Sequence, residues 1–186
     1  MASPSPIDRR FTAEEYLVFE RAAGTRHEFV DGDIVAMTGD SPRHSRVKFN
    51  LARAIGNQLV GGPCDGYDSD LLVRVDPGRY AYSDLTVVCG EARFEGDALA
   101  NPTVIFEVLS RSTEATDRGE KWERYWAMPS LRQYVLISQG KPLIEVFTRH
   151  ADVWTFADAR GQDASIDLPA IDCTLSLADV YARVEA

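Results

Sequence analysis

The sequence predicts an α/β domain of the mixed, α+β kind, with one sheet built partly from antiparallel hairpins and flanked by two substantial helices. Three observations point to this class. Apolar runs of strand length recur and are punctuated by Gly, Pro and Asp turn residues. Two longer stretches carry helical periodicity behind recognisable start signals. No internal repeat, low-complexity run or linker interrupts the chain, so residues 1–186 are expected to form a single domain.

The elements follow in order. In "FTAEEYLVFERAAG", Thr12 and Glu15 make a capping-box pattern and Gly24 is a stop. "RHEFVDGDIVAM" reads as a hairpin turning at Asp31-Gly32. "SPRHSRVKFNLARAIGNQLVGGP" is the clearest helix, capped by Ser41, with Pro42 at its first position and Gly61-Gly62-Pro63 as its end. Strands are expected at "YDSDLLVRVD", "SDLTVVC" and "TVIFEVLS". A helix over about 117–128 comes next, with Asp117 and Glu120 as a second capping box. "LRQYVLIS" and "PLIEVFTR" form strands around the Gln139-Gly140-Lys141 turn. "DVWTFAD" suits an edge strand and "SLADVYARVEA" a short closing helix.

Composition limits the function classes. The chain is 45% hydrophobic and 10% aromatic, ordinary values for a packed domain. No apolar run has membrane-spanning length, and "MASPSPIDRRF" lacks the apolar core of a signal peptide, so the expected location is the cytoplasm, away from membranes. Cys64, Cys89 and Cys173 are widely spaced and odd in number, and are expected to be free, partly buried thiols. With 20 basic and 29 acidic residues the net charge is −9, unfavourable for non-specific nucleic-acid binding. The charge is uneven, however: residues 41–64 hold Arg43, Arg46, Lys48 and Arg53 and no acid.

Glu107 is the most informative single residue. Five of the seven residues 103–109 are large and apolar, yet Glu107 shares a strand face with Thr103, Ile105 and Leu109. An ionised carboxylate there needs a partner or a metal. Two readings stand, a buried ion pair and a metal ligand. Asp84, opening "SDLTVV", either pairs with a turn amide or serves as a second acid. Two acids on adjacent inner strands suit Mg²⁺, which takes hard oxygens and keeps several waters.

A cation near the reacting phosphate completes such a site. Lys121, in the first turn of the following helix, is the candidate, with Tyr125 one turn above it; its other reading is a surface lysine. Trp122 and Trp126 are expected to be the core stripe of that helix. On the second helix, His44 and Lys48 fall within the apolar arc of Val47, Leu51, Ala54, Ile55 and Leu59. Arg43, Arg46, Asn50 and Arg53 share another face, read either as solvated surface or as phosphate-contacting.

"HEFVDGDIV", the helix beginning "SPRHSR", "SDLTVV" and "NPTVIFEVLSRSTEATDRGEKWERYWAMPSLRQYVLI" together resemble the Uma-type family of "putative restriction endonucleases", placed in the PD-(D/E)XK nuclease superfamily. The resemblance implies a restriction-endonuclease-like central mixed sheet flanked by helices, acting on DNA with Mg²⁺ or Mn²⁺. Carried over residue by residue, it implies Asp84 as the first metal acid, Glu107 as the second, the Val108 carbonyl as a further oxygen ligand and Glu28 as an outer acid. His44 and Lys121 match recurrent polar positions. Two departures accompany it. Ser83 stands where proline is usual, and Leu109 fills the slot of the catalytic lysine. Lys121 is the expected replacement and Lys48 the runner-up. By analogy with restriction-type nucleases, a homodimer is expected. The alternatives are a catalytically silent nuclease-like module that binds nucleic acid or protein, and a hydrolase of RNA or small phosphoesters.

Overall fold

A computed structural model describes residues 10–37, 39, 41–110 and 114–184. The expected motif residues Ser112 and Thr113, the basic Arg111 and the N-terminal segment 1–9 lie outside these. The chain runs α1 (Ala13–Ala22), β1 (His27–Val30), β2 (Asp33–Ala36), α2 (Pro42–Leu59), β3 (Cys64–Asp68), β4 (Leu72–Asp76) and β5 (Arg79–Tyr82). It continues through β6 (Leu85–Cys89), β7 (Phe94–Glu95), β8 (Ala98–Leu99), β9 (Val104–Leu109), α3 (Glu114–Arg118) and α4 (Glu120–Trp126). It closes with β10 (Gln133–Ser138), β11 (Leu143–His150), β12 (Val153–Arg160), β13 (Ser165–Leu168), β14 (Cys173–Ser176) and α5 (Leu177–Val180).

The mixed α/β class holds, but the single expected sheet is two. One six-stranded sheet has the order β12-β11-β10-β9-β6-β3, and the other β2-β1-β5-β4-β8-β7. The division falls inside "YDSDLLVRVD", read from sequence as one strand. Asp68-Ser69-Asp70 turns there, the Asp68 carboxylate accepting from the Asp70 amide at 3.0 Å. The residues before the turn pair with β6 and those after it with β5. Strands β5, β7, β8, β13 and β14 lay outside the sequence reading; β7 and β8 have two residues each, too short to show a period.

The long β9 is the centre of the first sheet. It pairs antiparallel with β6 and parallel with β10, and α3 and α4 make the crossover a parallel pair requires. Val104, Phe106 and Val108 face a core formed with α2, β14 and α5. Ile105 and Leu109 face the other core, beneath α4, with Tyr125, Tyr134 and Leu136. Glu107 has the parity of this second face, buried at 4% exposure.

The helix starts behave as their caps dictate. Thr12 and Glu15 form the reciprocal capping box of α1, and the Ser41 hydroxyl accepts from the His44 amide at the start of α2. The second expected capping box does not form. Gly119 breaks the expected helix into α3 and α4, and the Asp117 side chain turns inward instead of capping. Trp122 packs on Phe147 and Trp154 as a core stripe should, whereas Trp126 is 44% exposed.

The cysteine expectation is corrected. Cys64 and Cys89 stand directly opposite each other on β3 and β6 and form a disulfide, while Cys173 is free and buried. Residues far apart in sequence become cross-strand neighbours through a register that spacing does not reveal. The bridge closes a loop of sequence separation 25, for which chain entropy gives about 3 kcal/mol of stabilisation. Reduction with dithiothreitol is therefore expected to lower the melting temperature by roughly 6–12 °C. An unchanged melting temperature would mean that the purified protein carries the two sulfurs as thiols.

Candidate active site

Register assembles the first acid pair. Leu85 pairs with Phe106 and Thr86 with Ile105, so continuing by one residue sets Asp84 beside Glu107. The Asp84 amide donates to the Phe106 carbonyl at 3.2 Å, and the Val108 amide donates to Asp84 Oδ2 at 2.7 Å. Asp84 thus closes the end of the β6–β9 ladder and is fixed by it. The side chain remains 14% exposed, reaching both core and solvent.

Helix α2 brings two basic side chains to Asp84, from its apolar arc as the 100° spacing predicts. Lys48 Nζ lies 3.3 Å from Asp84 Oδ1, and His44 Nε2 lies 3.5 Å from Oδ2. His44 Nε2 also meets the Val108 carbonyl at 2.7 Å. A carbonyl only accepts, so Nε2 carries the hydrogen. His44 therefore engages the oxygen implied as a further metal ligand, and Val108 has one remaining lone pair for any other partner.

The other acids gather around Lys121 of α4. Lys121 Nζ donates to Glu107 Oε1 at 3.2 Å, and the Tyr125 hydroxyl donates to the same oxygen at 3.3 Å. The i,i+4 spacing on α4 places both groups over one carboxylate. Glu28, delivered by β1, sets Oε1 3.3 Å from Nζ, and Asp117 sets Oδ1 3.2 Å from it. These last two are close enough to pair by charge but make no hydrogen bond with the ammonium, and both oxygens are buried. The β1 strand that carries Glu28 is itself anchored at His27, where Glu20 meets both the backbone amide and Nδ1.

Charge is the unusual property of this cluster. Lys121 is 8% exposed and Asp117 2%, so three carboxylates share one ammonium largely out of water. Burial raises the Glu107 pKa well above the ordinary carboxylate value; Lys121 opposes the shift, and Asp117, Asp84 and Glu28 reinforce it. For Lys121, burial pulls the pKa down, and Glu107, Tyr125, Glu28 and Asp117 more than reverse it, leaving the group well above the usual lysine value. The ammonium is therefore charged at neutral pH, with three carboxyl groups gathered around it.

Among the described residues, no three His, Cys, Asp or Glu side chains are gathered as a metal cage. The donor set nevertheless fits a hard divalent cation. Mg²⁺ binds through one or two carboxylates and completes its shell with water and phosphate oxygens. The buried Glu28 and Asp117 oxygens without a hydrogen bond mark an unbalanced negative site that such a cation suits.

The structure thus brings together Asp84, Glu107, Glu28, Lys121, Tyr125, His44, Lys48 and Val108. Leu109, in the superfamily's lysine slot, packs into the apolar cluster beneath α4, and Lys121 reaches Glu107 from the helix instead. The basic face of α2 is less uniform than expected. Arg43 is tied to the Gln139 and Gly140 carbonyls of the β10–β11 turn, and Asn50 is buried, donating to the Val180 and Ala182 carbonyls. Arg46 and Arg53 are exposed. Asp117 was missed as a site residue. Its i,i+4 spacing to Lys121 was the available signal, and the capping-box pattern masked it.

Comparison with known proteins places this geometry in context. Residues 13–178 match the model of the Uma2 family, described as "Putative restriction endonuclease". The chain is similar to two Synechocystis sp. proteins. It is 33% identical to "Uncharacterized protein slr1290" over 96% of this chain and 95% of that one. It is 32% identical to "Uncharacterized protein sll1609" over 84% of this chain and 91% of that one. The fold is similar to the crystal structure of "a putative nuclease belonging to DUF820" from Anabaena variabilis, with a TM-score of 0.74, covering 94% of this chain and 99% of that one. At 15% identity that likeness shows the fold alone. Among the described residues no helix is long and apolar enough to cross a membrane.

Proposed function

The chain belongs to the Uma2 family, and from that premise we propose that it is a nuclease, a divalent-metal-dependent endonuclease that hydrolyses DNA phosphodiester bonds. The observation that carries the reading lies beneath α4, where, among the described residues, Glu28, Glu107 and Asp117 surround the single ammonium of Lys121 and Asp84 stands beside Glu107. Several acids crowded on one buried ammonium support this reading, because strongly perturbed titratable groups cluster at functional sites.

Asp84 and Glu107 would hold Mg²⁺ or Mn²⁺, with Glu28 as an outer acid and the Val108 carbonyl beside them. A cation there would neutralise phosphate charge and make a bound water acidic enough to attack. The chain's own groups do the rest. Lys121 offers an N–H to the attacking water or to the charge developing on phosphorus. Tyr125 fixes the rotamer of Glu107 through its hydroxyl. His44 holds the Val108 carbonyl, and Lys48 orients Asp84 and lends positive charge at the strand end. The exposed Arg46 and Arg53 are placed to meet backbone phosphates, and Arg43 stiffens that end of α2. Duplex cleavage needs two cuts, and by analogy with restriction-type nucleases the proposed working unit is a homodimer.

A second reading rests on a specific contact. The Lys121 ammonium is already hydrogen-bonded to Glu107, in the absence of any lysine at position 109. A chain that never releases that pair is a silent nuclease-like binding module.

Nicking of supercoiled plasmid separates the two. With Mg²⁺ or Mn²⁺ the wild-type chain is expected to convert supercoiled DNA to open circles. EDTA, Asp84→Ala and Glu107→Ala should each reduce the rate at least about 10³-fold. Metal binding abolished by both substitutions without any nicking leaves a binding seat and no nuclease. Equal behaviour of wild type and variants in both assays makes Glu107 a structural ion pair.

A further inference from the structure

The three carboxylates around Lys121 do not hold it alike. Glu107 takes a hydrogen bond, and that same Oε1 also accepts from Tyr125. Glu28 and Asp117 approach as charges at 3.3 and 3.2 Å. Asp117 is the more deeply buried of the two, with a side chain 3% exposed against 16% for Glu28. Its place is also fixed by its own backbone, since the Tyr134 hydroxyl donates to the Asp117 carbonyl at 3.1 Å. It is carried by α3, two residues before the Gly119 break and four before Lys121. A cap is not its role, because α4 begins at Gly119 without any side-chain cap.

We infer that Asp117 is a positioning residue that tethers the Lys121 ammonium, so that the lysine releases Glu107 without leaving the site. The inference rests on the nuclease reading above, which asks two things of one contact. Glu107 must turn an oxygen toward a cation, and Lys121 must free an N–H for water or phosphate. With Glu107 as the only anchor, that release would let a long, flexible side chain swing out toward solvent. With Asp117 at 3.2 Å, the ammonium keeps a buried counter-charge on its own helical segment and stays within reach of the reacting group. The absence of an Asp117–Lys121 hydrogen bond in the arrangement described is consistent with this order of events. The lysine favours Glu107 until Glu107 is withdrawn, and then turns to Asp117.

The test reads the lysine directly. The Lys121 ammonium signal of ¹⁵N-labelled full-length protein in EDTA, assigned with Lys121→Arg, reports its solvent exchange. The Glu107→Gln variant removes the charge with which Glu107 holds the ammonium. The slow-exchanging signal is expected to survive in Glu107→Gln and to exchange at least about tenfold faster in Glu107→Gln/Asp117→Asn. Restoring a carboxylate with Glu107→Gln/Asp117→Glu should recover the protection. Loss of the signal in Glu107→Gln alone, or its persistence in the double amide variant, overturns the tether. Should that double variant not fold, Glu28→Gln/Glu107→Gln tests the same point from the other side, with retention expected and loss overturning it. In plasmid nicking, Asp117→Asn is expected to lower kcat about tenfold or more while leaving KM within about twofold; an unchanged kcat overturns the positioning role. Mg²⁺ affinity lost as fully in Asp117→Asn as in Asp84→Asn would make Asp117 a ligand and likewise overturn it. A wild-type chain that does not nick removes the nuclease reading, and the ammonium exchange still decides the tether.

Discussion

Lys121→Met is expected to lower the melting temperature at pH 7.5 by roughly 10 °C and to abolish nicking. The substitution keeps a long apolar stem and removes the ammonium with its hydrogen bond to Glu107, so the loss is polar rather than a cavity effect. Glu28, Glu107 and Asp117 then face one another without the Lys121 counter-ion, at a depth where Lys121 itself is 8% exposed. Removing one partner of a buried pair costs about 3–5 kcal/mol, because the remaining charge is neither solvated nor compensated. Acidification should shrink the loss. A carboxylate whose folded pKa is raised binds a proton in the native state before the unfolded chain does, so falling pH favours the fold. Saturating Mg²⁺ should recover part of the melting temperature, by about 2.7 kcal/mol at a hundredfold excess over Kd. Differential scanning calorimetry at pH 5.5 and 7.5, with EDTA and with Mg²⁺, checks all three. A melting temperature within about 2 °C of wild type under every condition would show that the carboxylates do not depend on this lysine.

Much of this cluster is legible in the sequence, for reasons that differ from residue to residue. Glu107 announced itself because a lone acid inside "VIFEVL" violates the cost of burying charge. Ser41-Pro42 announced the start of α2, and the 100° spacing then put His44 and Lys48 on the face that meets Asp84. Local rules sufficed there. They failed wherever the partner is distant in sequence. The Cys64–Cys89 bridge depends on the pairing of β3 with β6, and the division into two sheets depends on one Asx-type turn at Asp68. At Asp117 two local rules competed. The capping-box pattern with Glu120 and the i,i+4 spacing to Lys121 are both valid signals, and tertiary burial chose the second. A buried carboxylate with a lysine in reach has more to lose from misplacement than a solvent-exposed cap.

Glu107→Gln carries the opposite expectation for stability and the same one for activity. Nicking should fall to background, because an amide cannot hold a cation as a carboxylate does. The metal-free fold, in contrast, should gain about 1–3 kcal/mol near pH 7.5. Removal of Glu107's charge does not strand Lys121, which retains Glu28 and Asp117 at 3.3 and 3.2 Å; it removes surplus negative charge from a group 4% exposed. The pH dependence gives the sharper test. Burial, reinforced by Asp117, Asp84 and Glu28 against the pull of Lys121, raises the folded pKa of Glu107 well above its unfolded value. Its contribution to stability is therefore fully present below the unfolded pKa near 4.5 and is lost as pH rises through the folded pKa. In EDTA, wild type should lose stability over that rise while Glu107→Gln follows a flatter profile, the two curves converging toward acid pH. Urea denaturation at a series of pH values reads this directly. A variant less stable than wild type at neutral pH, with a parallel pH profile, would mean that the Glu107–Lys121 pair serves the fold and is not held in reserve for a cation. The predicted gain follows from the same imbalance that carries the functional reading: a site arranged for a bound cation is electrostatically strained without one, and relieving the strain by mutation costs the chemistry.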